Sequence, residues 1–188
     1  MNYIKQLAPG SDAQVAPGLG AAEPAPEKSP AREDGGHGAP ERAACFLCEA
    51  AAAQPGTDLA RQRLLLVHDQ RGVIVLNRYP YTTGHLLAAP AEHLADLTDL
   101  SPDQRAGLME LTALAEQVTR LAFGPQGINV GINIGRCAGA GLPGHLHVHI
   151  VPRWNGDTNF MSIVGQVRVI PQAIEESYAV LAAALRKI

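Results

Sequence analysis

The sequence predicts an α+β fold: a mainly antiparallel sheet of about five strands, one long central helix and a C-terminal helix. Three observations carry that expectation. Short apolar runs between residues 63 and 90 are joined by turn residues, the spacing of an antiparallel meander. After Ser101, apolar residues recur at helical spacing behind a capping signal. Two alternating segments and a last apolar-striped stretch then complete the order strands, helix, strands, helix.

Composition narrows the class. The 188 residues suit one domain with a tail, and 46% hydrophobic content supports a core. Aromatics are only 4%, so that core must be built from Leu, Ile, Val and Ala. A net charge of −3 gives no electrostatic footprint for nucleic acid. No apolar run has membrane-spanning length and no signal peptide is visible, so a cytoplasmic protein without nucleic-acid or membrane partners is expected. Three cysteines are too few for a disulfide scaffold.

Residues 1–43 read as a disordered Ala/Pro/Gly-rich tail. Between Ala8 and Ala43 there are six prolines, one Leu and one Val, too little apolar surface to offset ordering entropy. Met1-Asn2-Tyr3-Ile4 is apolar enough to dock on the domain, and His37, between glycines, is expected to be idle. The domain proper spans residues 44–188. Cys45-Phe46-Leu47-Cys48 leads into a short Ala-rich helix ended by Pro55-Gly56. Strands follow at Arg63–Val67, Val73–Leu76 and Gly84–Pro90, with a turn at Asp69–Gly72 and an irregular link over Asn77–Tyr81. Residues 91–97 suggest a short helix. Ser101-Pro102-Asp103-Gln104 announces the long one, with Leu108, Leu111, Ala115, Val118 and Ala122 along one stripe, and Gly124-Pro125 ends it. Ile128–Gly135 alternates as a strand. A loop with four glycines from Gly135 to Gly144 follows, and Cys137 within it is expected to be a space-filling reduced thiol. Residues 155–157 form a turn, Met161–Ile170 a strand or extended arm, and Pro171 opens a helix with Ile174, Tyr178, Leu181 and Leu185 on one face.

The chemistry concentrates in His145-Leu146-His147-Val148-His149-Ile150. Three of the seven histidines alternate with apolar residues. In a strand all three imidazoles project from one face, and Leu146, Val148 and Ile150 enter the core from the other. Neighbours at i and i+2 lie roughly 6.5–7 Å apart, so a single ion cannot easily hold all three rings of a regular strand at Zn–N bonds of about 2.0 Å, although two neighbours with a third ligand from elsewhere would be feasible. A row of imidazoles serving a phosphate fits better: one nitrogen attacks phosphorus while flanking donors neutralise its oxygens. The glycine loop lets backbone N–H groups approach the same anion. Cys45 and Cys48, taken alone, remain open between a redox pair, a zinc half-site and chance. His68 reads as a surface residue.

His145-Leu146-His147-Val148-His149-Ile150-Val151 resembles the signature of the histidine triad (HIT) family, three histidines separated by single apolar residues. Leu76–Tyr81 with Gly84-His85-Leu86 resembles the family's substrate-side segment. Pro152–Phe160 resembles a bacterial branch that includes diadenosine tetraphosphate phosphorylases. The likeness covers about residues 44–188 and implies a HIT-like nucleotide-binding catalytic domain. It further implies a nucleotidyl-transfer enzyme that takes an adenine nucleotide or dinucleoside polyphosphate. His147 would form a nucleotidyl intermediate, with inorganic phosphate as acceptor in a phosphorylase and water in a hydrolase; a nucleotide-binding module with little turnover is the non-enzymatic alternative. His149 and His145 would orient His147 and contact phosphate oxygens. Asn133 would lie near the phosphates, Asn77 on the ribose side, and His85 would be a buried structural support. The family's Ser or Thr before the first histidine is replaced by Leu142, so the backbone N–H groups of Ala140 and Gly141 would substitute. Some members carry a structural Cys-Cys-His-His zinc, which here would be Zn2+ held by Cys45, Cys48, His93 and His145. No organic cofactor is implied, and a homodimer is.

Overall fold

The computed structural model describes residues 45–157 and 172–188. The expected tail over residues 1–43, docking by Met1–Ile4, idle His37 and the strand at Met161–Ile170 lie outside the described residues. In chain order the elements are α1 (Phe46–Ala51), α2 (Asp58–Gln62), β1 (Leu65–Asp69), β2 (Gly72–Leu76), β3 (Leu86–Ala89), α3 (Pro102–Phe123), β4 (Gly127–Ile132), β5 (Val148–Arg153) and α4 (Ile174–Leu185). The strands form one five-stranded antiparallel sheet in the order β1-β2-β3-β5-β4. The α+β expectation and its strand number therefore hold.

The pleat divides the interior in two. Ile74, Leu76, Leu86, Ala88, Val148 and Ile150 face α3 and α4, whose Leu108, Leu111, Val118, Tyr178 and Leu181 pack on them. Leu65, Val73, Val75, Leu87 and Ala89 face the other way, onto Leu47, Ala50 and Ala53 of the α1 region. Each fully buried Leu, Ile or Val in these layers contributes about 1.5–3 kcal/mol. The α3 cap is the one the sequence announces: Gln104 N–H donates to Ser101 Oγ, Ser101 N–H donates to Gln104 Oε1, and Pro102 opens the helix. Gly124, in the left-handed region at φ 55°, closes it. Gly84 also needs its bare Cα: its φ is +77°, and a Cβ there would meet the Phe123 ring at 2.5 Å. This lets α3 lie close against the start of β3.

Four local expectations are corrected. The strand expected from Arg63 starts at Leu65, because Arg63 caps α2, which the sequence reading did not anticipate; Thr57 Oγ1 accepts the Ala60 N–H as its N-cap. Residues 91–97 form bends and irregular backbone rather than a helix, since their backbone groups bond in other patterns: Leu94 N–H to Glu92 O, and Leu94 O to the Leu146 N–H. Ile128–Gly135 keeps its strand only to Ile132. Cys137 is exposed and fills no space. No helix of the described residues is long and apolar enough to cross a membrane.

Candidate active site and metal cluster

The histidine segment keeps its alternation but not its strand. β5 begins at Val148, and its ladder with β3 runs over Val148, His149 and Ile150. His145 and His147 precede the strand. Leu146, Val148 and Ile150 still enter the α3 core, and the three imidazoles still lie on the opposite side. The Leu146 N–H donates to Leu94 O at 2.6 Å, which carries the segment off the sheet toward the 90–94 loop.

His145 ends in a cluster of donors. Cys45, Cys48, His93 and His145 each offer one ligand atom, and all these atoms lie within 4.8 Å of one another. His145 Nδ1 is 3.3 Å from Cys45 Sγ and 3.6 Å from Cys48 Sγ; His93 Nδ1 is 3.3 Å from Cys48 Sγ. Bonds of about 2.3 Å to sulfur and 2.0–2.1 Å to nitrogen make the sulfur–nitrogen edge of a tetrahedron roughly 3.5 Å. The cluster has that size and a two-thiol, two-imidazole donor set, so it can hold a metal ion. The tautomer agrees: His145 Nε2 is 3.0 Å from the Pro90 carbonyl, so Nε2 carries the proton and Nδ1 presents its lone pair to the cysteines. Both ring nitrogens of His145 are thus engaged, Nδ1 at the cysteines and Nε2 at Pro90.

His147 is oriented by the main chain of the residue that faces the cluster. Its Nδ1 lies 2.8 Å from the His145 carbonyl oxygen, so Nδ1 donates and Nε2 keeps a lone pair. Burial lowers its pKa, and the carbonyl bond offsets this only in part. At neutral pH the ring is uncharged, with the lone pair on Nε2.

His149 has the opposite polarity, and a relay from Asn77 fixes it. Asn77 Oδ1 accepts the Tyr79 N–H at 3.0 Å, which leaves Asn77 Nδ2 facing His85 Nδ1 at 3.3 Å. The Tyr81 N–H also donates to His85 Nδ1, at 3.0 Å. His85 Nδ1 is therefore an acceptor, its Nε2 bears the proton, and Nε2 donates to His149 Nδ1 at 2.9 Å. His149 is left with its proton on Nε2, and that nitrogen is buried without a partner among the described residues. Burial and then the neighbouring His147 push the His149 pKa down to about 4. The two rings stand edge to face with centroids 5.0 Å apart. A lone pair on one and an N–H on the other are the complementary groups that an electrophilic centre and its oxygen need.

The remaining expected residues fall nearby. His85 is fully buried, and Tyr81 lies against it and against His149, at 4.6 and 5.8 Å between ring centroids. Asn77 is at the expected end of β2, but its amide also orients His85. Asn133 follows β4, with its Nδ2 3.8 Å from where a Gly139 Cβ would sit, so the glycine loop folds back over it. The Ala140 N–H, expected to face a phosphate, donates instead to Gly135 O at 3.3 Å. Gly141 is exposed and His68 is on the surface. The roles of Pro90 and Leu94 were missed; their signals are backbone carbonyls, which a sequence does not display.

Comparison with known proteins decides the family. The HIT domain model matches residues 60–156. The chain belongs to the HIT family. This HIT protein is 41% identical over 137 residues to the AP-4-A phosphorylase of Mycobacterium tuberculosis, covering 71% of this chain and 70% of that protein. It is 35% identical over 82 residues to the asymmetrical bis(5'-nucleosyl)-tetraphosphatase of Schizosaccharomyces pombe, covering 44% of each. Among solved structures, a Zn-bound histidine triad family protein from Mycobacterium smegmatis superposes with a TM-score of 0.61 at 30% identity. It covers 78% of this chain and 96% of that one.

Proposed function

We propose that this HIT protein is a cytoplasmic nucleotidyltransferase that cleaves dinucleoside polyphosphates of the diadenosine tetraphosphate type by phosphorolysis. The observation that carries the reading is the juxtaposition of the His147 ring, with a lone pair left on Nε2, and the His149 ring, whose Nε2–H has no partner among the described residues. His147 Nε2 attacks the α-phosphorus, and the bond to the polyphosphate chain breaks with its electrons, releasing ATP from a tetraphosphate substrate. His149 Nε2–H donates to an oxygen that gains charge at phosphorus. The nucleotidylated imidazole is cationic, and its Nδ1–H bond to the His145 carbonyl strengthens as that charge appears. A phosphate oxygen then displaces His147 and yields ADP. Asn133 and the Gly141 backbone serve the phosphates, Asn77 and His85 hold His149, and Asn77 also lies on the ribose side.

The extent of the likeness to the M. tuberculosis phosphorylase favours phosphate as acceptor. The shorter likeness to the S. pombe tetraphosphatase supports a second reading, with water as acceptor. We assign the Cys45–Cys48–His93–His145 cluster to Zn2+. Its donor set and size suit zinc, and the M. smegmatis relative is described as Zn-bound. The ion would be structural: four protein ligands leave no open position for a substrate. A homodimer through β4 is supported by that strand's place at the sheet edge and by exposed Val130 within it and Ile134 just after it.

The test is product analysis on diadenosine tetraphosphate with and without inorganic phosphate. ADP plus ATP, formed only when phosphate is present, is the expected result. Equal cleavage in its absence overturns the phosphorylase reading in favour of the hydrolase.

A further inference from the structure

Resting on the reading of His147 as nucleophile, we propose that the Cys–His cluster positions that nucleophile, with His145 and the 90–94 loop as the coupling parts. The residues His145 to His147 precede the β5 ladder, which begins at Val148. Three of their contacts run toward the cluster: the His145 ring in the cluster, His145 Nε2 on Pro90 O at 3.0 Å, and the Leu146 N–H on Leu94 O at 2.6 Å. Pro90 and Leu94 bracket His93, itself a member of the cluster, whose ring stands edge-on to His145 at 5.1 Å between centroids. The carbonyl of His145 then receives the His147 Nδ1–H at 2.8 Å. One residue thus presents its ring to the metal position and its carbonyl to the nucleophile. A peptide plane moves as a unit, so any tilt of the His145 ring and backbone shifts the acceptor that fixes the His147 tautomer.

His149 provides an internal contrast. Its orientation comes from His85, Asn77 and the Tyr81 backbone, none of which belongs to the cluster. Metal occupancy therefore acts on one half of the catalytic pair and leaves the other in place. Linkage makes the effect reciprocal: a nucleotide that binds better to the ordered His147 raises metal affinity by the same factor.

The test reads the two buried imidazole protons by NMR. The His147 Nδ1–H is assigned by its loss in His147→Gln, and the His85 Nε2–H by its loss in His85→Leu. Exchanging Zn2+ for the larger Cd2+ is expected to move the His147 resonance and leave the His85 resonance in place, in the absence of any substrate. Chelation of a protein that stays folded by circular dichroism is expected to broaden or remove the His147 signal alone. In the His93→Gln variant, kcat per folded molecule is expected to fall about 10–100-fold, the usual cost of losing support around a metal site, with KM little changed. A His147 resonance indifferent to the metal overturns the proposal, as does an undiminished kcat in His93→Gln. If chelation unfolds the chain, the Cd2+ exchange decides alone. The NMR arms need no turnover, so failure of the catalytic reading and failure of the coupling are separately visible.

Discussion

The two ends of the histidine segment are built from the same side chain and do opposite things. At the cluster, His145 and His93 point Nδ1 atoms at two sulfurs, and all donors converge on one point. At the triad, His147 and His149 keep unlike groups on their second ring nitrogens, a lone pair on one and an N–H on the other. The bonds to the other ring nitrogens make the difference. Pro90 O accepts from the His145 Nε2–H and His145 O accepts from the His147 Nδ1–H, whereas His149 Nδ1 itself accepts a hydrogen bond from the His85 Nε2–H. The partner of one ring nitrogen sets whether the other presents a lone pair or an N–H.

Removing one group from each end gives the largest contrast. His147→Ala is expected to cost on the order of 10⁴-fold or more in kcat/KM, as losing the nucleophile of a covalent mechanism does, with metal content and thermal midpoint close to the parent. Cys45→Ser, at a fully buried position, is expected to lose metal and about 2–4 kcal/mol of stability. Its activity should recover in part with excess Zn2+. Metal analysis and thermal denaturation of the two proteins check this, and an inactive but metal-replete, stable Cys45→Ser would erase the distinction.

A smaller effect tests the triad end from behind. His85→Leu removes the proton that fixes His149 and frees that ring to flip its tautomer. Loss of one donor to a developing oxyanion costs about 10²–10³ in kcat, and that is the expected size. His85→Gln keeps an N–H near the Nε2 position and should recover part of the loss. Equal activity in both variants would mean that His85 only fills space.

Local signals carried much of this to the sequence level. The alternation of His145 to Ile150 placed imidazoles and core residues on opposite sides, and the Ser101–Gln104 box fixed the start of α3. Failures arose where distant backbone groups compete for hydrogen bonds. Leu94 O, far along the chain, takes the Leu146 N–H, so β5 starts late and residues 91–97 do not form a helix. α2 has five residues, too few to show a period. The cluster was half legible as a C-x-x-C pair, and its imidazole half came from family resemblance. The tautomers were not legible at all, because Pro90 O and the Tyr81 N–H carry no side-chain signal.

The smallest expected effect is on pH dependence, and its sign follows from His149. The folded-state pKa is pushed down to about 4 by burial and by His147, from an ordinary value of 6.5. Between those values the unfolded chain binds more protons than the folded one at this position, so stability rises with pH there. The contribution is fully present above pH 6.5, declines as pH falls toward 4, and is gone below it. The ring is only half-buried, so solvent screening makes the measured slope shallower than the shift alone implies. The cluster ligands also take up protons in acid, which the comparison must cancel. Denaturant midpoints of the parent and His149→Asn, measured from pH 7.5 to 4.5, do so. The parent is expected to lose more stability than the variant across this range, and parallel curves would place the His149 pKa near its ordinary value. The triad end then carries a pH dependence of its own, separate from proton-driven release of metal at the cluster.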